Sequence, residues 1–306
     1  VLTRALRDAV DTLPGPTRRV AGYHFGWWDA QGTPVTADAG KLLRPALTLL
    51  SSAAVGGTAE DAVPAAVAVE LAHNFSLLHD DVMDRDATRR HRPTAWHVFG
   101  VGAAILAGDA LLTLAFDVLA TSGHPAAREC ARSLGAALQD LIRGQCEDTA
   151  FEARTDVSLA ECVRMAEGKT AALLGSSCAL GAAFGGGDAD QVALLGSFGE
   201  RLGLAFQLVD DLLGIWGDPA VTGKPVYSDL RNRKKSLPVV AALTSGTPAA
   251  TELAAIYHRD EPLSRRELEA VAALVEQAGG RTWSTARARE LLTEANRYLT
   301  SARPRP

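Results

Sequence analysis

Five aspartates stand in two stretches that otherwise read as protein interior: Asp80, Asp81 and Asp84 follow Leu77-Leu78, and Asp210-Asp211 run into Leu212-Leu213. An unpartnered carboxylate is expensive to bury, so a fold that takes these segments inside must bring compensating charge to them. Asp80 and Asp84 are spaced i, i+4 and project from one helix face, about one turn apart. Carboxylates presented in this way suit Mg2+, a hard cation that takes one or two carboxylates together with substrate phosphates. A solvated acidic face or a helix N-cap is the plainer reading of either cluster alone. The apolar neighbours of both argue against it.

Nearly every long segment carries the helical period. Helices are expected over 2–12, 41–55, 61–84, 103–121, 125–152, 157–184, 189–217, 233–244, 249–258, 264–278 and 280–302. Pro14-Gly15-Pro16, Gly56-Gly57, Gly123-His124-Pro125, Gly185-Gly186-Gly187 and Gly246-Thr247-Pro248 read as the turns between them. Asp188 and Ser264 are expected N-caps. No alternating strand of useful length, repeat or low-complexity tract is visible. The segments 61–84 and 189–217 are apolar on most sides, as central helices of a bundle are, and each carries its aspartates near its C-terminal end. Side by side, they would aim the two clusters at each other, and carboxylates so close would repel unless cations stood between them.

The 306 residues are 47% hydrophobic and 22% charged, with no Pro/Gly/Ser linker, so one domain is expected to span 1–306. A net charge of −5 argues against a nucleic-acid surface or a polybasic membrane patch, and an anionic ligand would need a local cluster of cations or metal. Cys130, Cys146, Cys162 and Cys178 follow one another at sixteen-residue intervals, which matches no metal site, and they read as free core thiols of a reducing cytoplasm. With no signal peptide and no unbroken apolar run of about 18 residues, no transmembrane segment is expected and a cytoplasmic location is.

Cations lie where they could complete an anion site. Lys41 and Arg44 share one side of a helix start, Arg89-Arg90 trails the first aspartate cluster, Lys169 precedes Thr170 in an apolar run, and Lys224 stands in Gly223-Lys224-Pro225. Arginine clamps phosphate through two donors and lysine acts as a point charge. Lys234-Lys235 belongs to a basic run that a solvated surface would also explain. His73 lies two helical turns before Asp80 on the same face, which favours a substrate contact. His79 and His91 have no such register.

In this combination the chain resembles the trans-isoprenyl diphosphate synthases, or polyprenyl synthetases, from about residue 40 to 236. The resemblance rests on Asp80-Asp81-Val82-Met83-Asp84 with Thr88-Arg89-Arg90, on Gly40-Lys41 through Arg44-Pro45, and on Gly144-Gln145-Cys146-Glu147-Asp148. Lys169-Thr170, Phe206-Gln207 through Asp211, Gly223-Lys224 and Ser228-Asp229-Leu230 follow in the expected order. It implies an all-α, single-domain helical bundle of the isoprenoid synthase type with a central apolar cavity, usually a homodimer. Its reaction would condense an allylic diphosphate with isopentenyl diphosphate.

The resemblance further implies that Asp80 and Asp84 ligate two Mg2+ and Asp210 a third, with Asp81 and Asp211 in the same motifs and Asp229 close by. Arg89, Lys169 and Lys224 would hold the allylic diphosphate. Lys41, Arg44, His73 and Arg90 would hold isopentenyl diphosphate, with Lys234 as a further substrate contact, and Thr170 and Gln207 would line the reacting centre. Phe75 and Ser76, five and four residues before Asp80, would set chain length. One aromatic there resembles the geranylgeranyl (twenty-carbon) pattern, with farnesyl (fifteen-carbon) as runner-up.

Four positions depart from the family pattern: Gly214 where a third aspartate is usual, Tyr227 and His91 where glycine is usual, and Leu42 for a frequent arginine. A class I terpene cyclase shares fold and first motif, but its second metal motif is absent from this chain. A non-catalytic regulatory subunit would be expected to lose aspartates or arginines, and both clusters are present.

Overall fold

A computed structural model describes residues 1–35, 40–218, 226–257, 259 and 261–305. It is all-α, as expected. The helices are α1 Leu2–Asp11, α2 Gly15–His24, α3 Leu43–Val55, α4 Val63–Met83, α5 Ala95–Phe99, α6 Val101–Thr121, α7 Ala127–Phe151, α8 Leu159–Ala166, α9 Ala172–Phe184 and α10 Ala189–Trp216. They continue with α11 Ser228–Arg231, α12 Leu237–Leu243, α13 Pro248–Tyr257, α14 Arg265–Gln277 and α15 Gly280–Ser301. A π-helical turn, Glu167–Ala171, joins α8 to α9, and the two-residue strands β1 Thr88–Arg89 and β2 Arg92–Pro93 form one small antiparallel hairpin.

The chain divides into two compact units. The first comprises Val1–Ala136, Ser176–Gly196 and Thr300–Pro306, the second Ala137–Gly175 and Ser197–Leu299. In the first, α4 packs most extensively on α6. Small buried residues on both (Ala65, Ala68 and Ala72 on one, Ala104, Ala107 and Gly108 on the other) let these helices approach closely. The second unit has one cluster around Phe151, Cys162, Met165, Leu204, Leu208, Leu237 and Leu291, and another around Ile215, Leu230, Leu253, Tyr257, Leu268 and Val271. Each such apolar side chain contributes about 1.5–3 kcal/mol when fully buried.

Several expectations need correction. Pro14-Gly15-Pro16 is not a turn but the start of α2, because a proline in the first helical turn lacks only an N–H that would have had no partner. The expected helix 157–184 is interrupted by the π turn. The expected 233–244 begins only at Leu237, since Arg233 has the left-handed φ of 50° that ends helical propagation before it. Cys146 is exposed, whereas the other three cysteines are buried; all four are free. Asp188 and Ser264 do cap their helices, through reciprocal bonds with Gln191 and Glu267. By length and composition alone, α6 and α10 are each apolar enough to cross a membrane, although Asp109 and Asp117 break the apolar run of α6.

Candidate active site

In the first unit, α4 carries Glu70, His73, Asn74, Phe75, Ser76, Asp80 and Asp81, with Asp84 capping its C-terminus. Asp81 is 1% exposed and accepts a bond from Arg89 Nε at 2.7 Å. Burial pushes its carboxyl up to about 6, against the pull of Arg89, while Asp86 and Asp84 push it the same way as burial. Its second oxygen, Oδ2, is buried with no hydrogen-bond partner among the described residues. The neighbouring Asp80 is only half-buried and Asp84 is exposed.

Arg44 Nη1 donates to His73 Nε2 at 3.1 Å, so the imidazole accepts there and carries its proton on Nδ1. Burial, then Arg44, Arg90 and Arg89, hold the His73 ring well below the usual histidine range, so it stays neutral. Behind this pair lies a chain that sequence reasoning missed. His24 Nε2 donates to Asn74 Oδ1 (3.1 Å), and Asn74 Nδ2 donates to Glu70 Oε1 (2.8 Å). Glu70 is 3% exposed; burial raises its carboxyl, while Asn74, Arg44 and Arg90 act to lower it. It offsets part of the charge of Arg44, whose own value burial brings down to about 10. Helical i, i+4 spacing of Glu70 and Asn74 was the available signal. The structure thus brings Arg44, His73, Arg90 and Arg89 into one cationic neighbourhood, while Lys41 is exposed.

Phe75 and Ser76 are both buried. Phe75 meets His79 edge-on at 4.9 Å, and Ser76 Oγ donates to the carbonyl of His73.

The second unit likewise sets a buried, bonded aspartate beside a less buried one. Asp211, 3% exposed, accepts from Gln207 Nε2 at 2.7 Å and from the backbone N–H of Leu237 at 2.9 Å. Gln207 in turn accepts from Thr170 Oγ1 at 2.6 Å. Burial pushes the Asp211 carboxyl up to about 6, against the attraction of Lys234. Asp210, one residue earlier, is exposed. Lys169 Nζ lies 2.5 Å from Asp148 Oδ2. Burial would raise Asp148, but Lys169 and Lys234 outweigh it and hold the carboxyl below the usual range. Gly144 makes this pairing possible: a β-carbon there would fall 2.3 Å from the backbone nitrogen of Lys169, so only glycine lets the π turn settle against α7. Lys234 is a member of this site rather than of a solvated basic run. Burial acts to lower its ammonium, but Asp211, Asp148, Asp229 and Asp210 together raise it above the usual lysine range. Lys224 lies outside the described residues.

The departures from the family pattern acquire physical meaning. Arg90 (φ 51°) and His91 (φ 59°) form the two-residue turn between β1 and β2, where both central residues need positive φ. Tyr227 has φ 62° and Leu42 φ 48°. Glycine at 91 or 227 would adopt that conformation without steric cost, which is why a glycine is the natural occupant.

Among the described residues, no three His, Cys, Asp or Glu side chains gather as a ready-made metal cage. The donors do suit Mg2+: Asp84 and Asp210 are exposed and Asp80 is half-buried, whereas Asp81 and Asp211 are buried, and magnesium completes its shell with water and phosphate.

The polyprenyl synthetase family model matches residues 27–275. A (2E,6E)-farnesyl diphosphate synthase of Mycobacterium tuberculosis is 51% identical over 298 residues, covering 96% of this chain and 83% of that protein. A geranylgeranyl diphosphate synthase of the same species is 51% identical over 276 residues, covering 90% and 79%. The crystal structure of a polyprenyl synthetase from Streptomyces coelicolor A3(2) superposes with a TM-score of 0.94 at 50% identity, over 99% of this chain and 93% of that one. Fold and relatives together define a transferase, a trans-prenyl diphosphate synthase. The chain belongs to the polyprenyl synthetase family.

Proposed function

We propose that the chain, acting as one catalytic domain, condenses an allylic diphosphate with isopentenyl diphosphate in 1′-4 head-to-tail fashion, and that magnesium is its cofactor. The observation that supports this reading is that each aspartate motif holds one buried, bonded carboxylate, Asp81 on Arg89 and Asp211 on Gln207 and the Leu237 N–H, next to a less buried one, half-buried Asp80 and exposed Asp210. In this reading Asp80 and Asp84 hold two magnesium ions and Asp210 a third. When bound, the ions stabilise negative charge on the departing diphosphate.

The protein's own groups do the rest. Arg89, Lys169 and Lys224 hold the allylic diphosphate as its charge develops, and Lys41, Arg44, His73 and Arg90 orient isopentenyl diphosphate. His73, kept neutral, leaves the positive charge of that set on Lys41 and its arginines. Asp81 fixes Arg89, Asp148 fixes Lys169, and Lys234 balances the carboxylates around it. Thr170 and Gln207, tied to each other, line the reacting centre. No side-chain nucleophile is required: the isopentenyl double bond attacks the allylic cation, and the proton is lost to the departing diphosphate. An apolar cavity takes the prenyl tail and excludes water from the cation.

The proposed product is geranylgeranyl diphosphate, on the single aromatic Phe75 beside the small Ser76. Farnesyl diphosphate is the second reading, favoured by the name of the relative that covers 96% of the chain. A homodimer in the cytoplasm completes the proposal. It would give the apolar side of α6, where Val101, Ile105 and Leu106 are exposed, a second copy of the chain to pack against. The test is to supply purified protein with Mg2+, isopentenyl diphosphate and dimethylallyl, geranyl or farnesyl diphosphate. Geranylgeranyl diphosphate should accumulate from each starter; termination at farnesyl diphosphate would overturn the product assignment.

A further inference from the structure

We propose that His79 and Gly108 form the seat that fixes Phe75 in place, and that this seat determines where prenyl chain growth stops. His79 has no role in the chemistry above. It occupies α4 between Phe75 and Asp80, four residues after the phenylalanine and so on the same helix face. Its ring meets Phe75 edge-on, with centroids 4.9 Å apart and planes at 69°. The imidazole is itself anchored on α6: Nε2 lies 3.0 Å from the carbonyl oxygen of Ile105 and donates to it. The ring also lies over the bare α-carbon of Gly108. A β-carbon there would stand 2.3 Å from Nε2 and 2.4 Å from Cδ2, so no other residue leaves the ring where it is.

These contacts make a rigid wedge. Phe75 cannot turn toward α6 without pushing the imidazole off its carbonyl and its glycine. The inference rests on the reading that Phe75 is the floor for the growing tail. Given that reading, the position of the floor depends on a residue of α6 that touches neither substrate nor metal. His79 is therefore a positioning residue, and its effect belongs in the product ratio. Lost folding would lower the total yield and leave that ratio unchanged, because unfolded protein makes no product.

The experiment measures chain-length distribution from geranyl diphosphate and isopentenyl diphosphate for the full chain and for Phe75→Ala, His79→Ala and Gly108→Ala. Phe75→Ala should raise the share of products longer than the wild-type end product. His79→Ala and Gly108→Ala should shift it in the same direction, by about threefold, as expected for loss of one aromatic edge contact. Combining His79→Ala with Gly108→Ala should add nothing further, since both act through one ring. A shift in Phe75→Ala with none in His79→Ala overturns the seat and leaves the floor standing. If Gly108→Ala does not fold, His79→Ala alone decides. An unchanged distribution in Phe75→Ala overturns floor and seat together.

Discussion

The carboxylate of Asp229 occupies the space that a side chain at position 214 would need: a β-carbon on Gly214 would fall 2.3 Å from Asp229 Oδ2. The second aspartate motif lacks its usual third carboxylate at this point, and the structure places another carboxylate against the vacated backbone. Ser228 Oγ donates to the Gly214 carbonyl (3.3 Å) and so ties the two segments together. Gly214→Asp, which restores the family pattern on paper, should therefore displace Asp229 and lower kcat/KM by about tenfold, the scale of a misplaced supporting residue at a metal site. Because a side-chain terminus moves rather than backbone, the melting temperature should change little. Activity at or above wild type in that variant would show that Asp229 does not need this position.

The two residues standing where glycine is usual should respond in opposite ways. His91 is exposed at φ 59°, so His91→Gly should relieve left-handed strain and stabilise the protein by about 1 kcal/mol. Tyr227 shares the strain at φ 62° but packs against the cluster around Ile215 and Leu230, so Tyr227→Gly should destabilise it. Denaturant unfolding of both variants checks this, and the same sign for both would contradict it.

How much of this was legible in the sequence follows from the range of each signal. The helical period exposed the long helices and put Asp80 in the last turn of α4, whereas Asp84, expected on the same helix, is its C-cap. The hairpin of β1 and β2 was invisible because two residues per strand carry no alternation, and its Arg90-His91 turn lacks the glycine that marks such turns. Pro14-Gly15-Pro16 misled because a proline signals both a turn and a helix start. The pairings of Lys169 with Asp148, Asp229 with Gly214 and His79 with Gly108 join residues 15 to 29 positions apart, which only packing brings together.

His24 should make stability depend on pH. Burial, then Arg90 and Arg89, lower its folded value to about 3, against 6.5 for an ordinary histidine. Between these values the unfolded chain binds the extra proton, so stability falls as pH falls through that window, by about 1 kcal/mol per pH unit. His73 acts in the same sense. Asp81 and Asp211 oppose it, because their folded carboxyls protonate first, near pH 6. Comparing wild type with His24→Gln from pH 7 to pH 5 isolates the histidine: the wild type should lose more stability over that range. Parallel curves would contradict the assignment.

Arg89 and Arg90 should separate kinetically. Arg90→Ala should mainly raise KM for isopentenyl diphosphate, and Arg89→Ala mainly that for the allylic substrate. Arg89→Ala should also cost about 3 kcal/mol of stability, since it leaves Asp81 buried without its counter-ion. Steady-state kinetics with each substrate varied, together with unfolding curves, tests both parts. Equal kinetic effects of the two variants on both substrates would show that the site is divided wrongly.

The most direct test of the central claim is diphosphate release by Asp80→Ala and Asp210→Ala, each verified as folded by circular dichroism, with Mg2+ and both substrates at saturation. The two carboxylates proposed as magnesium ligands are predicted to be indispensable, so each variant should lose turnover by about a hundredfold or more while keeping its helical signal. Near-wild-type release from either folded variant would contradict the account.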